Sequence, residues 1–119
     1  MEIDIERQMV EQVLKKIKIA AKIKFTIAKN RPENLDTILE LEYTDSLIED
    51  TILSLSVNDC ISSFKQDKGG YQGFVYEFGR TIKSREVYIK FRILFENDIC
   101  HISCISFHFA NYVIKYRFK

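Results

Sequence analysis

Between Glu86 and Phe95 the chain alternates without a break. Val87, Ile89, Phe91, Ile93 and Phe95 share one side, and Tyr88, Lys90 and Arg92 share the other. A sustained period of two is a β-strand with one apolar and one polar face. Such a strand needs partners along both edges and a layer over its apolar face. The flanking sequence offers the partners. Phe74 to Ile82 carries Phe74, Tyr76 and Phe78 in alternation, and Ile99 to Phe107 is rich in β-branched residues. Short polar connections, Lys83-Ser84-Arg85 and Glu96-Asn97-Asp98, predict an antiparallel meander.

The covering layer is found upstream. Val10, Val13, Leu14, Ile17, Ala20 and Ala21 recur at helical spacing among polar residues. Ile23 to Ala28 alternates as a short strand. Asn30-Arg31-Pro32-Glu33 then predicts a helix start, with Leu35, Ile38 and Leu39 as its buried stripe. Ser46-Leu47-Ile48-Glu49 has capping-box spacing before Ile48, Ile52 and Leu55. Ser56-Val57-Asn58-Asp59 predicts a single capped turn, and Lys68 to Gly73 a loop. The expectation is an α+β architecture, N-terminal helices packed on an antiparallel β meander. At 119 residues the chain is expected to form one domain, residues 1–119. Residues 1–55 are mainly helical with one short strand, and residues 56–119 are the meander.

Register decides which side chains meet. A three-residue loop at Asn97 to Ile99 pairs Lys90 with Ser106 and Tyr88 with His108, and keeps Ile105 and Phe107 in the core. The polar side then reads either as an ordinary solvated face or as a functional one. His108 stands at a strand end, where side chains are displayed, and imidazole titrates near neutrality.

Charge is unevenly spread. Residues 1–60 hold eight basic and twelve acidic side chains, net −4, whereas residues 61–119 hold ten and five, net +5. The overall +1 therefore hides a basic meander, with Lys65, Lys68, Arg80, Lys83, Arg85, Lys90 and Arg92 interleaved with Tyr71, Tyr76, Tyr88, Tyr112 and Tyr116. Cations with flat rings suit a single-stranded polyanion.

Other chemistries are expected to be absent. A span of about 18 apolar residues is missing, so the chain is not expected to enter a membrane. The acidic stretch from Met1 to Arg7 has no compact apolar segment, so a secretory leader is not expected. Three cysteines, Cys60, Cys100 and Cys104, fit a reducing compartment, and the cytoplasm is the expected location. Cys100, His101, Cys104 and His108 resemble a ligand set on paper. On a strand, however, a spacing of four spans about 13 Å, so neither metal nor cofactor is expected.

Four blocks in order resemble the MqsR-type toxins of bacterial type II toxin–antitoxin systems, within the RelE-like ribonuclease superfamily. They are Ile52 to Asp59, Val75 to Arg80, Arg85 to Lys90 and Cys104 to His108. The resemblance implies a RelE-like fold and a metal-independent endoribonuclease, in which the substrate's own 2′-hydroxyl attacks the adjacent phosphate. It implies mRNA as substrate, on or off the ribosome, and a cognate antitoxin with a helix-turn-helix DNA-binding domain as partner. By position, Tyr88 matches a tyrosine proposed as functional in the family. His108 falls where MqsR has a C-terminal lysine and other RelE-like toxins a histidine. The expected catalytic residues are His108, Tyr88 and Lys90, and the expected phosphate-binding residues are Arg80, Lys65, Lys83 and Arg92. Here Lys65 replaces a family lysine that aligns with Ser62. The alternative is a non-catalytic RNA- or protein-binding domain.

Overall fold

The computed structural model describes residues 2–23, 26–66, 73–96 and 99–119, with the backbone alone at 2, 63–66, 95, 96, 99 and 100. Among these residues the elements are α1 (Glu2–Ile23), β1 (Thr26–Ile27), α2 (Pro32–Leu41), α3 (Asp45–Ser54), a 3-10 turn (Val57–Asp59), β2 (Cys60–Gln66), β3 (Phe74–Ile82), β4 (Arg85–Glu96) and β5 (Ile99–Phe109). The sheet order is β1-β5-β4-β3-β2. The α+β expectation holds, with three helices on a five-stranded sheet. The meander is longer than expected because β2 precedes it. The sheet is also mixed, since β1 runs parallel to β5.

Each helix is delimited by local chemistry. On α1, Val10, Leu14, Ile17 and Ala21 are sunk into the core at spacings of four, three and four. The helix continues through Ile23, so the predicted strand shrinks to Thr26–Ile27, and Phe25 lies outside the described residues. Pro32 opens α2 as expected, and Glu42, in the left-handed region at φ 57°, closes it with its N–H on Ile38 and Leu39 carbonyls. For α3 the cap is Thr44 rather than Ser46, its hydroxyl accepting from Leu47 N–H at 3.2 Å. The predicted turn at Ser56 forms, with the Asp59 carboxylate accepting from Ser56 N–H at 2.9 Å.

The buried side of α2 is the largest departure. Leu35 and Leu39 are exposed, while Asn34 and Thr37 are buried with Ile38 and Leu41. The reason is that α2 lies along the edge of β5, where backbone groups need partners. β1 covers only the first part of that edge, ending where Ala28 N–H donates to Cys104 O at 3.0 Å. Asn34 takes over. Its Nδ2 donates to Ala28 O at 2.9 Å and Ile105 O at 3.1 Å, and its Oδ1 accepts from Phe107 N–H at 2.9 Å. Thr37 continues the row, accepting from Phe109 N–H at 3.1 Å while donating to Glu33 O at 2.8 Å. Two polar side chains act as the missing strand.

One core cluster fills the space between helices and sheet. Phe78, Val87, Ile89, Phe91 and Phe107 are fully enclosed there with Ile17, Ile48, Ile52 and Leu55. Burying side chains of this size is worth about 1.5–3 kcal/mol each before entropy is counted. Phe78 and Phe91 meet edge to face at 5.8 Å. The alternation in β4 therefore points as expected. Tyr76, read as part of a basic aromatic face, belongs to this core instead.

The β3–β4 hairpin turns at Lys83 and Ser84, with φ of 50° and 68°. Two successive left-handed residues twist in the sense that antiparallel strands require, although neither is glycine. Gly73, at φ 108°, is held differently. A Cβ there would lie 2.6 Å from Ile93 O.

Candidate functional site on the outer face of the sheet

The side of the sheet away from the helices carries the candidate residues. Tyr88 pairs with Gly79 and His108, and Lys90 with Glu77 and Ser106. The expected register is thus present, but by another route. Glu96 pairs with Ile99, which leaves two residues in the connection rather than three. Left uncorrected, that turn slips His108 away from Tyr88. The correction is a bulge. Lys90 faces Ser106 while Phe91 faces Cys104, so Ile105 is an extra residue on β5. Ile105 is buried but stands outside the core cluster.

The side chains meet as the pairing dictates. The rings of Tyr88 and His108 lie 5.3 Å apart at 33°. His108 Nδ1 is 3.0 Å from Phe109 O. A carbonyl only accepts, so Nδ1 carries the hydrogen and a neutral ring keeps its lone pair on Nε2. Tyr88 Oη donates to Glu77 Oε2, and Ser62 Oγ donates to Glu77 Oε1. Glu77 and Ser62 were not foreseen. Glu77 was legible as the outward residue between Tyr76 and Phe78 on a strand paired with β4, whereas Ser62 required knowing that β2 exists.

The face is less open than a solvated sheet. Tyr88 is 9 % exposed and Ser106 5 %. Beyond Phe109 the chain turns back across it. Glu86 Oε2 accepts from Ile114 N–H at 3.3 Å, Arg117 N–H donates to Cys60 O at 2.8 Å, and Arg117 pairs with Glu6 of α1 at 3.0 Å. Ile114 and Tyr116 pack over Gly79, where a Cβ would stand 2.8 Å from Ile114 Cδ1 and 3.0 Å from Tyr116 Oη. Burial, with the Glu86 and Asp59 carboxylates, raises the Tyr116 phenol above its ordinary value. The tail thus covers the part of the outer face that Gly79 shares with Tyr88.

The other expected residues divide. Arg92 shares the parity of Tyr88 and Lys90, pairs with Val75 and Ser103, and is half-buried. Arg80 has the opposite parity, next to Val87. Its guanidinium donates to Ser54 Oγ at 2.8 Å, Ser54 O at 2.9 Å and Asp59 Oδ2 at 2.8 Å, which clamps the end of α3 to β3. Lys83 likewise donates to Leu41 O at 2.7 Å and caps α2. Neither joins the Tyr88 cluster; both spend their charge on helix ends within the fold. The Lys65 side chain, with Tyr71 and most of the Lys68–Gly73 segment, lies outside the described residues.

Cysteine chemistry is remote from this face. Cys104 lies in the core while His108 stacks on Tyr88 across the sheet, so the two cannot share an ion. Burial pushes the Cys60 and Cys104 thiols up to about 12. Among the described residues no helix is long and apolar enough to cross a membrane.

Set against protein-family models, curated proteins and solved structures, the chain matches none of them. The fold itself defines the class, a mixed five-stranded sheet with helices on one side and a phenol–imidazole–carboxylate cluster on the other.

Proposed function

We propose that the chain is an endoribonuclease of the RelE-like superfamily, similar to the MqsR toxins, that cleaves mRNA in the cytoplasm until a helix-turn-helix antitoxin restrains it. The supporting observation is the register that stacks His108 on Tyr88 and sets Lys90 one pair further along. In this reading His108 Nε2 takes the proton from the ribose 2′-hydroxyl. That oxygen attacks the adjacent phosphorus, and the bond to the 5′-oxygen breaks. The Tyr88 phenol, held by Glu77, orients the phosphate or returns a proton to the leaving oxygen, and Lys90 and Arg92 neutralise the phosphorane. His108→Ala is the decisive variant, because among the described residues the ring's hydrogen bond is to its neighbour's carbonyl. Its fold should persist by circular dichroism, while RNA cleavage and growth arrest on induction disappear. Full activity in that variant overturns the assignment.

A second reading is supported by the engagement of Arg80 and Lys83 within the fold and by the carboxylate of Glu77 in the cluster. These features fit a domain that binds RNA or a protein without cutting. Mapping RNA ends in cells after induction separates the two, since only the nuclease creates new ends.

A further inference from the structure

We infer that the outward side of α1 is a self-association surface on which a second copy of this chain lays the same helix antiparallel. The core-facing set Val10, Leu14, Ile17 and Ala21 leaves the opposite side of α1 uncovered. That side is not polar. Ile5, Met9, Ile19 and Ile23 are 61, 44, 60 and 79 % exposed, and Gln12 and Lys16 lie between them, also exposed. Together they form one stripe, Ile5, Met9, Gln12, Lys16, Ile19 and Ile23, with steps of four, three, four, three and four. Those steps are the seam of a two-helix coiled coil, about 27 Å long at 1.5 Å per residue. An apolar stripe of this length on a free surface marks an interaction site.

Symmetry and charge select the occupant. The steps are palindromic about residue 14. A twofold axis at that level lays Ile5 against Ile23 of the second copy, Met9 against its Ile19, and Gln12 against its Lys16. Apolar residues then meet apolar residues at both ends, and at the centre an amide oxygen accepts from an ammonium. Parallel pairing instead sets Lys16 against Lys16. The flanking charges agree. Residues 3–11 carry Asp4, Glu6 and Glu11 against Arg7 alone, while residues 12–23 carry Lys15, Lys16, Lys18 and Lys22 and no acid. Antiparallel helices oppose these halves; parallel helices place like on like. The central polar layer costs affinity and fixes orientation. Because α1 lies on the helical side of the sheet, the interface leaves Tyr88 and His108 uncovered and does not depend on the function proposed for them.

Sedimentation velocity of the full chain, from micromolar to near-millimolar concentration, tests this directly. The unsubstituted protein should show a monomer–dimer equilibrium that weakens with salt. Met9→Glu and Ile19→Glu should each raise the dissociation constant about a hundredfold, since each change occurs twice across the axis, with circular dichroism unchanged. Orientation is read separately. Mixed under oxidant, Met9→Cys and Ile19→Cys chains should cross-link to each other, and neither alone beyond the level of the unsubstituted chain. A monomer at every concentration, including one whose stripe captures a different protein, overturns the inference. So does a dimer indifferent to both glutamates, or one in which each cysteine variant cross-links to itself.

Discussion

Asn34 is fully buried and makes three hydrogen bonds to backbone, two of them to β5 residues on either side of Ser106. Asn34→Ala removes all three and strands Ile105 O and Phe107 N–H away from water, while Ala28 O keeps the Arg31 N–H at 3.3 Å. At about 1 kcal/mol net for each bond, with a further penalty for buried groups left unpaired, the loss should be roughly 3–5 kcal/mol. Domains of this size have about 5–15 kcal/mol to lose. Urea denaturation followed by far-ultraviolet circular dichroism should show the midpoint falling by roughly 2 M at constant slope. The control is Leu39→Ala one turn on, which should cost less than about 0.5 kcal/mol because Leu39 is exposed. Asn34→Asp sharpens the reasoning. The new carboxyl keeps an acceptor for Phe107 N–H but faces two carbonyls, so its folded pKa is raised. Its protonated form is the tolerated one, and the deficit should grow as pH rises from about 4 to 7. A loss below about 1 kcal/mol for Asn34→Ala, or a loss equal to that of Leu39→Ala, refutes the edge-strand role.

Arg80→Ala should cost about 1–3 kcal/mol and Arg80→Lys should recover little of it, because a point charge cannot serve Ser54 and Asp59 together; loss of RNA binding without loss of stability would restore Arg80 to the outer-face site. Cys60 and Cys104 should resist alkylation in the native state and react on unfolding, as read by peptide mass mapping. Because the unfolded thiols ionise above their ordinary 9.0 while the folded ones hold their protons to about 12, stability should fall as pH climbs through that window. Gly79→Ala should push Ile114 and Tyr116 off the sheet, and limited proteolysis should then cut the C-terminal tail faster, with Ile114→Ala in the same chain restoring resistance.

The sequence was most readable where alternation was intact. β3 carries its predicted bounds, β4 points its two faces as read, and the pairs Tyr88–His108 and Lys90–Ser106 follow from keeping apolar residues inside. β2 escaped notice because its pairing shifts twice, between Cys60 and Ser62 and again before Lys65, so no period of two survives in the letters. Asn34 and Thr37 were misread against Leu35 and Leu39 for a different reason. Helical periodicity assumes that a buried face is apolar, and α2 buries its face against backbone. The bulge at Ile105 was invisible as well, since one extra residue in a β-branched run has no compositional mark. Arg80 and Lys83 look the same in a charge count whether they face solvent or cap a helix. Parity was the unused signal for the first, as Arg80 lies in phase with Phe78 and Ile82.

The partners of Asn34 lie 71 and 73 residues ahead of it in the chain, and β1 waits on the same late strand. Synthesis is vectorial, so α1, β1 and α2 leave the ribosome long before the segment that satisfies them. Until Ile99–Phe109 arrives, Asn34 has no Ile105 or Phe107 to bond, β4 has a bare edge, and the apolar side of α1 lacks Phe107 and Cys104. β5 is the last strand to be made and sits between β1 and β4, so the sheet cannot be completed until it arrives. Contacts of this range make for slow closure and a period of aggregation risk.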